Sequence, residues 1–155
     1  MRQHGTINIH TDGACKDNPG PGGWGAVLEV GNERLCIGGR EDFTTNQRME
    51  LRAAVEALKQ ISTPGRDVWL VTDSEYVQKG MSEWLPNWKA RNWKNSKKKP
   101  VKNADLWKEL DELSDKHSVQ WSWVRSHSGD SGNDRADALA NRAIKQGDIH
   151  EVRAV

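Results

Sequence analysis

The chain has 155 residues, a formal net charge of +1 at pH 7, two cysteines, and eight tryptophans against one Phe and one Tyr. That length fits one domain spanning 1–155, which can bury about 68–70% of its unfolded surface. No apolar run approaches the roughly 18 residues of a membrane span, no signal peptide is visible behind Met1-Arg2-Gln3-His4, and two isolated thiols, Cys15 and Cys36, favour a reducing, cytoplasmic setting over a disulfide framework.

The first predicted element is a strand. Ile7 and Ile9 alternate with Asn8 and His10, the period of a half-buried strand that ends in Thr11-Asp12-Gly13. Carboxylates are depleted in strands, and the bland account of Asp12-Gly13 is a turn opener. The Pro- and Gly-dense run Ala14 to Gly23 predicts a shaped loop rather than strand. Trp24 to Val30 and Arg34 to Gly38 predict two more strands joined by a tight turn at Gly31-Asn32, which completes an antiparallel meander.

Thr44-Thr45-Asn46 supplies N-cap candidates, with Thr44 and Gln47 at capping-box spacing. Leu51, Ala54, Val55, Leu58 and Ile61 form the helical stripe behind them, and Ser62-Thr63-Pro64-Gly65 stops it. Glu50 falls in the first turns of this helix, where an acid also suits the helix dipole. A second strand, Val68 to Thr72, ends like the first in Thr-Asp, at Asp73. A short helix from Ser74 to about Lys79 follows, stopped by Gly80. The intervening helix argues for parallel pairing of the two strands by a right-handed crossover.

From Trp84 to Lys102 the character changes. Lys89, Arg91, Lys94, Lys97, Lys98, Lys99 and Lys102 lie here without one acid after Trp84, interleaved with Trp84, Trp88 and Trp93. A charge run is usually a solvated face, but basic residues between aromatic rings suit phosphates and bases better. Asn103 opens a helix to about Lys116, striped by Leu106, Trp107, Leu110 and Leu113. Val119 to Trp123 predicts a fifth strand, Ser126 to Asn133 a polar loop, and Ala136, Leu139, Ala140, Ala143 and Ile144 a last helix bearing Asp137. Residues from about 146 carry no pattern and are expected to form a loose tail.

This order predicts an α/β fold with a mixed five-stranded sheet, three strands antiparallel and two parallel. Sites in open α/β sheets form beyond the carboxyl ends of the strands, which brings Asp12, Asp73, Glu50 and Asp137 toward one place. Two like charges about 4 Å apart repel by roughly 4 kcal/mol at an effective dielectric near 20, so such a cluster calls for a hard divalent cation such as Mg²⁺. Two ions about 3.5–4 Å apart would flank in-line attack on a phosphodiester.

Several blocks, met in order, carry a family resemblance. They are Thr11-Asp12-Gly13-Ala14-Cys15 with Asn18 to Gly25, Asn46 to Leu51, Thr72-Asp73-Ser74, Lys99 to Trp107, and His127-Ser128-Gly129 with Asn133 to Asp137. Together they resemble type 1 ribonuclease H, nearest the bacterial enzymes, from about Ile7 to Ala143. The resemblance implies the ribonuclease H-like fold and hydrolysis of the RNA strand of RNA–DNA hybrids, leaving 5′-phosphate and 3′-hydroxyl ends, in the removal of primers and hybrids during replication and repair. It implies Asp12, Glu50, Asp73 and Asp137 as ligands of two Mg²⁺, with Mn²⁺ as an alternative, and His127 as an aid to proton transfer or product departure. It implies a basic protrusion at about 84–102 and substrate contacts from Cys15, Asn18, Thr45, Asn46, Gln47, Trp84, Lys97, Lys98, Lys99, Trp107 and Asn133. A monomer with no obligatory protein partner and no membrane is expected. Gln47 stands where the bacterial family usually has Asn, Ser126 where it has Gly, and Pro86 is unusual. Two other classes compete: a non-catalytic nucleic-acid-binding domain, and a DNA-cutting, integrase-like nuclease.

Overall fold

A computed structural model describes residues 5–126 and 128–154. The strands are β1 (Ile7–Cys15), β2 (Gly20–Val30), β3 (Glu33–Thr44), β4 (Asp67–Thr72), β5 (Ser118–Trp123) and β6 (Ile149–Ala154). They form one sheet in the order β5-β4-β1-β2-β3-β6. The β1/β4 and β4/β5 pairs are parallel, and β1/β2, β2/β3 and β3/β6 antiparallel. The sheet therefore has six strands, not the expected five. The sixth comes from residues expected to be a loose tail. Only Ile149 of this strand is buried, so no apolar period marks it; backbone pairing to β3 from Gly38 to Glu33 makes it a strand.

The helices are α1 (Asn46–Lys59), α2 (Glu75–Lys79), α3 (Leu85–Ala90), α4 (Ala104–Ser114) and α5 (Ser131–Gln146). One face of the sheet carries α1 and α4 over a core that includes Ile7, Ile9, Leu28, Leu51, Leu58, Leu70 and Trp107. The other face carries α5, whose Leu139 and Ala143 pack on Val27, Cys36 and Ile149. No described helix is long and apolar enough to cross a membrane.

Three local expectations change. The Gly-rich run is mostly strand: β1 continues to Cys15 and β2 begins at Gly20. Glycine inside a strand marks close backbone approach as well as turns, and approach is what these positions serve. Gly80 does not end a helix. It opens a π-helical turn, Gly80–Trp84, that joins α2 to α3, and a Cβ there would collide with the Trp107 ring. The N-cap of α1 is Thr45, whose hydroxyl accepts from the Arg48 amide at 3.2 Å, while Thr44 closes β3.

Candidate active site

Asp12 lies inside β1, opposite Gly25 of β2. The parallel ladder to β4 stops one residue earlier, at Thr11 and Thr72. Beyond that point β1 keeps only its β2 partner, and Asp73 follows Thr72 directly. The split between β1 and β4 thus sets two carboxylates side by side, at the crevice beyond the parallel strands where open sheets place their sites.

Glu50 and Asp137 arrive through close helix contacts. A Cβ on Gly13 would press on the Glu50 amide and lie 2.5 Å from the Met49 carbonyl carbon. The missing side chain lets α1 settle on β1, and the Gly13 amide donates both to Asp12 Oδ1 (2.8 Å) and to Glu50 Oε1. On the other face, a Cβ on Gly25 would lie 2.6 Å from the Ala136 carbonyl oxygen of α5. Since Gly25 sits opposite Asp12, this contact carries Asp137 to the same pocket as the Asp12 carboxyl.

Asp12, Glu50 and Asp73 each offer a carboxylate oxygen, all within 4.8 Å of one another. Asp137, Asn46, Ser74 and Ser126 complete the lining of this polar pocket. Asp12 and Glu50 are only 5% and 4% exposed. Burial pushes the Asp12 carboxyl up to about 8, with a hydrogen bond from Glu50 opposing and Asp73 and Asp137 adding to the rise. Burial likewise holds Glu50 well above the usual carboxylate range, and its bond to Asp12 reinforces the shift. Without a cation the pair keeps a proton. Hard oxygen donors whose charge is this costly to maintain fit a divalent ion, which restores both carboxylates to their anionic state.

Ser126 escaped the sequence reading as a site residue. Its hydroxyl donates to Asp73 Oδ2 at 2.5 Å, and the Trp123 indole donates to the Asp73 carbonyl at 2.9 Å. The only signal was a hydroxyl residue standing where the family has Gly. His127, the next residue, lies outside the described residues.

The expected substrate contacts divide. Asn18 Oδ1 accepts from the Asn46 amide (3.0 Å), and the Cys15 thiol donates to the Thr44 carbonyl (3.4 Å), gathering these residues and Thr45 beside the acidic pocket. Asn46 is exposed and Gln47 half-buried. Lys97, Lys98 and Lys99 are exposed on a loop closed by a Lys94–Pro100 bridge and by Asn95 Oδ1, which accepts from the Lys97 and Lys99 amides at 2.9 and 3.1 Å. Two residues do not fit a substrate contact. Trp107 is fully buried, its indole donating to the Tyr76 hydroxyl at 3.0 Å, so it is a core residue. Asn133 is buried in the first turn of α5. Among the interleaved rings, Trp84 is exposed, whereas Trp88 packs on Trp107 and Trp93 on Trp88.

An α/β sheet with paired carboxylates at its strand split, buried and short of countercharge, defines a metal-dependent hydrolase. The RNase H family model matches residues 4–145. The ribonuclease H of Cupriavidus pinatubonensis is 61% identical over 139 residues, covering 89% of this chain and 94% of its own. LC9-RNase H1, a type 1 RNase H with the type 2 active-site motif, superposes with a TM-score of 0.86 at 29% identity, over 99% of this chain and 79% of that one. LC11-RNase H1, solved in complex with an RNA/DNA hybrid, shares the fold with a TM-score of 0.68 at 24% identity, covering 90% of this chain and 97% of that one. The chain belongs to the ribonuclease H family.

Proposed function

We propose that the protein is an endonuclease that hydrolyses the RNA strand of RNA–DNA hybrids, leaving 5′-phosphate and 3′-hydroxyl ends. The observation that carries this reading is the convergence of Asp12, Glu50, Asp73 and Asp137 from four elements on one pocket. Asp12, Glu50, Asp73 and Asp137 would hold the ions, Mg²⁺ by the hardness of the donors and Mn²⁺ as an alternative. Bound there, such ions supply Lewis acidity at a phosphodiester and lower the pKa of water. The chain's own part is orientation. The Gly13 amide fixes Asp12 and Glu50, and Ser126 fixes Asp73. Asn18, Asn46 and Gln47 offer amide groups beside the pocket suited to 2′-hydroxyls, the groups by which a protein tells RNA from DNA. The reading extends to a monomer acting in the cytoplasm on primers and hybrids left by replication and repair. A purely nucleic-acid-binding domain would need the basic loop but gains nothing from two buried carboxylates. The test is cleavage of a labelled hybrid against duplex DNA, with divalent metal and with chelator. Metal-dependent cleavage of the hybrid's RNA strand alone is expected, and cutting of duplex DNA would return the reading to an integrase-like nuclease.

The exposed lysines should act on affinity. Changing Lys97, Lys98 and Lys99 together to Ala is expected to weaken hybrid binding while leaving kcat at saturating substrate nearly unchanged. Each phosphate that the variant no longer neutralises should flatten the slope of log K against log salt by about 0.9 on the duplex-DNA scale. A slope equal to that of the parent protein would assign these lysines to solvent.

His127 is expected to exchange a proton near the scissile phosphate or speed product departure. His127→Ala should lower kcat roughly 10²-fold, the low end of general acid–base contributions, with KM changed little in steady-state kinetics. Full kcat in this variant would make His127 a bystander.

A further inference from the structure

Helix α5 has two working sides. Asp137 faces the acidic pocket, while Arg135, Leu139 and Arg142 lie on a stripe at helical spacing. Two residues on from Arg135 is about 200° around the helix, so Asp137 and Arg135 diverge. Against the arginine stripe stand Arg34 and Cys36 of β3 and Glu151 and Arg153 of β6. Together they enclose a cleft of about 190 Å³ that shares no lining residue with the acidic pocket.

The charges in this cleft do not balance. Arg34 and Arg153 are direct cross-strand partners, an arrangement that is destabilising for like charges. Glu151 is shared between Arg142 at 2.9 Å and Arg153 at 3.9 Å, and Arg34 reaches Glu29 only at 3.5 Å. Arg135 makes no ion pair among the described residues. The Nε donors of Arg34 and Arg142 are buried without an acceptor among the described residues. Burial pushes the Cys36 thiol up, so it supplies no compensating negative charge. Convergent guanidinium forks with unused donors match the oxygens of a phosphate group.

We propose that this cleft is a binding site for a phosphate-class anion, held by Arg34, Arg135, Arg142 and Arg153 beside Cys36 and separate from the acidic centre. The anion is either a free small phosphate or the terminal phosphate of a nucleic acid strand, and the chemistry of recognition is the same.

Titration of the ¹⁵N-arginine-labelled full chain with inorganic phosphate tests the site, at constant ionic strength and in chelator. The Nε–H signals of Arg34 and Arg142 should move and saturate. Arg135→Ala and, independently, Arg153→Gln should each weaken the apparent affinity about tenfold, the scale of one hydrogen bond to a charged group. Cleavage of hybrid by both variants should remain at the parent level. Signals that drift linearly without saturating, or titrate alike in parent and both variants, would overturn the site and leave only screening of arginine repulsion. A second arm distinguishes the sources. Displacement of inorganic phosphate by a short DNA strand with a 5′-phosphate, but not by the same strand without it, supports a strand end as ligand. Saturation by inorganic phosphate with no displacement by either strand supports a free anion.

Discussion

Replacing Asp12 by Asn is expected to abolish metal-dependent cleavage while leaving hybrid affinity nearly intact, because affinity draws mainly on phosphate contacts. The same substitution should stabilise the metal-free protein. The Asp12 carboxyl is raised from 3.8 to about 8 in the fold, so between those values the native state holds a proton that the unfolded chain has released. The contribution of this carboxyl to stability in chelator should therefore be greatest below about pH 4, fall as pH rises toward about 8, and level off above it. The Asp12→Asn variant carries no charge at this position and escapes the part of the decline that Asp12 contributes, while the part due to the burial of Glu50 remains. At about pH 8 it should be the more stable of the two in chelator, and the gap should close toward pH 4. Urea melts at three pH values, with chelator and with Mg²⁺, check this. Mg²⁺ should raise the parent and not the variant. A stability difference between parent and variant that stays flat across that range would remove the charge clustering on which the site is built, and substantial residual cleavage by the variant would remove Asp12 from it.

Gly13→Ala should be nearly as damaging by a different route. The backbone at Gly13 is not left-handed, so an alanine meets no conformational penalty there. Its Cβ meets backbone instead, the Glu50 amide and the Met49 carbonyl carbon, which cannot rotate aside. α1 must lift off β1, and Glu50 moves away from Asp12. Overpacking of this kind costs about 1–3 kcal/mol, and a displacement near 1 Å at a reacting centre costs about 10²-fold in rate. We expect both, by urea melts and steady-state kinetics. Parent-level kcat would show that Glu50 is not held by this contact.

The same residue marks the limit of what the sequence made legible. Alternating Ile7 and Ile9, the Leu51 to Ile61 stripe and the two Thr-Asp strand ends led to the sheet, to α1 and to the paired acids, because burial imposes a period that residues display. Gly13 was open to a turn reading and Gly25 passed as an ordinary strand residue, since a missing side chain has no period, and only the folded chain shows which backbone fills the space. β6 was hidden for a related reason: an edge strand with one buried residue is held by main-chain bonds that any sequence can make. The family blocks gave the four acids their role as metal ligands, but the assignment of Trp107 to substrate missed that a ring beside a basic segment can point inward. Its partners Tyr76 and Gly80 lie more than twenty residues away in the chain.

That inward ring has an optical consequence. Tyr76, Trp107, Trp88, Trp84 and Trp93 form a connected set, with centroids 5.1 Å apart for Trp107 with both Tyr76 and Trp88, and 5.8 and 6.4 Å for Trp88 with Trp84 and Trp93. Chromophores this close and mutually tilted couple as excitons, most strongly through the intense far-ultraviolet indole bands, so the dichroism should carry features that belong to the assembly rather than to any one indole. Those features report the docking of Trp88 and Trp93 onto α4. A titration that loosens the loop would remove the share of Trp84, Trp88 and Trp93 and leave that of the Tyr76–Trp107 pair.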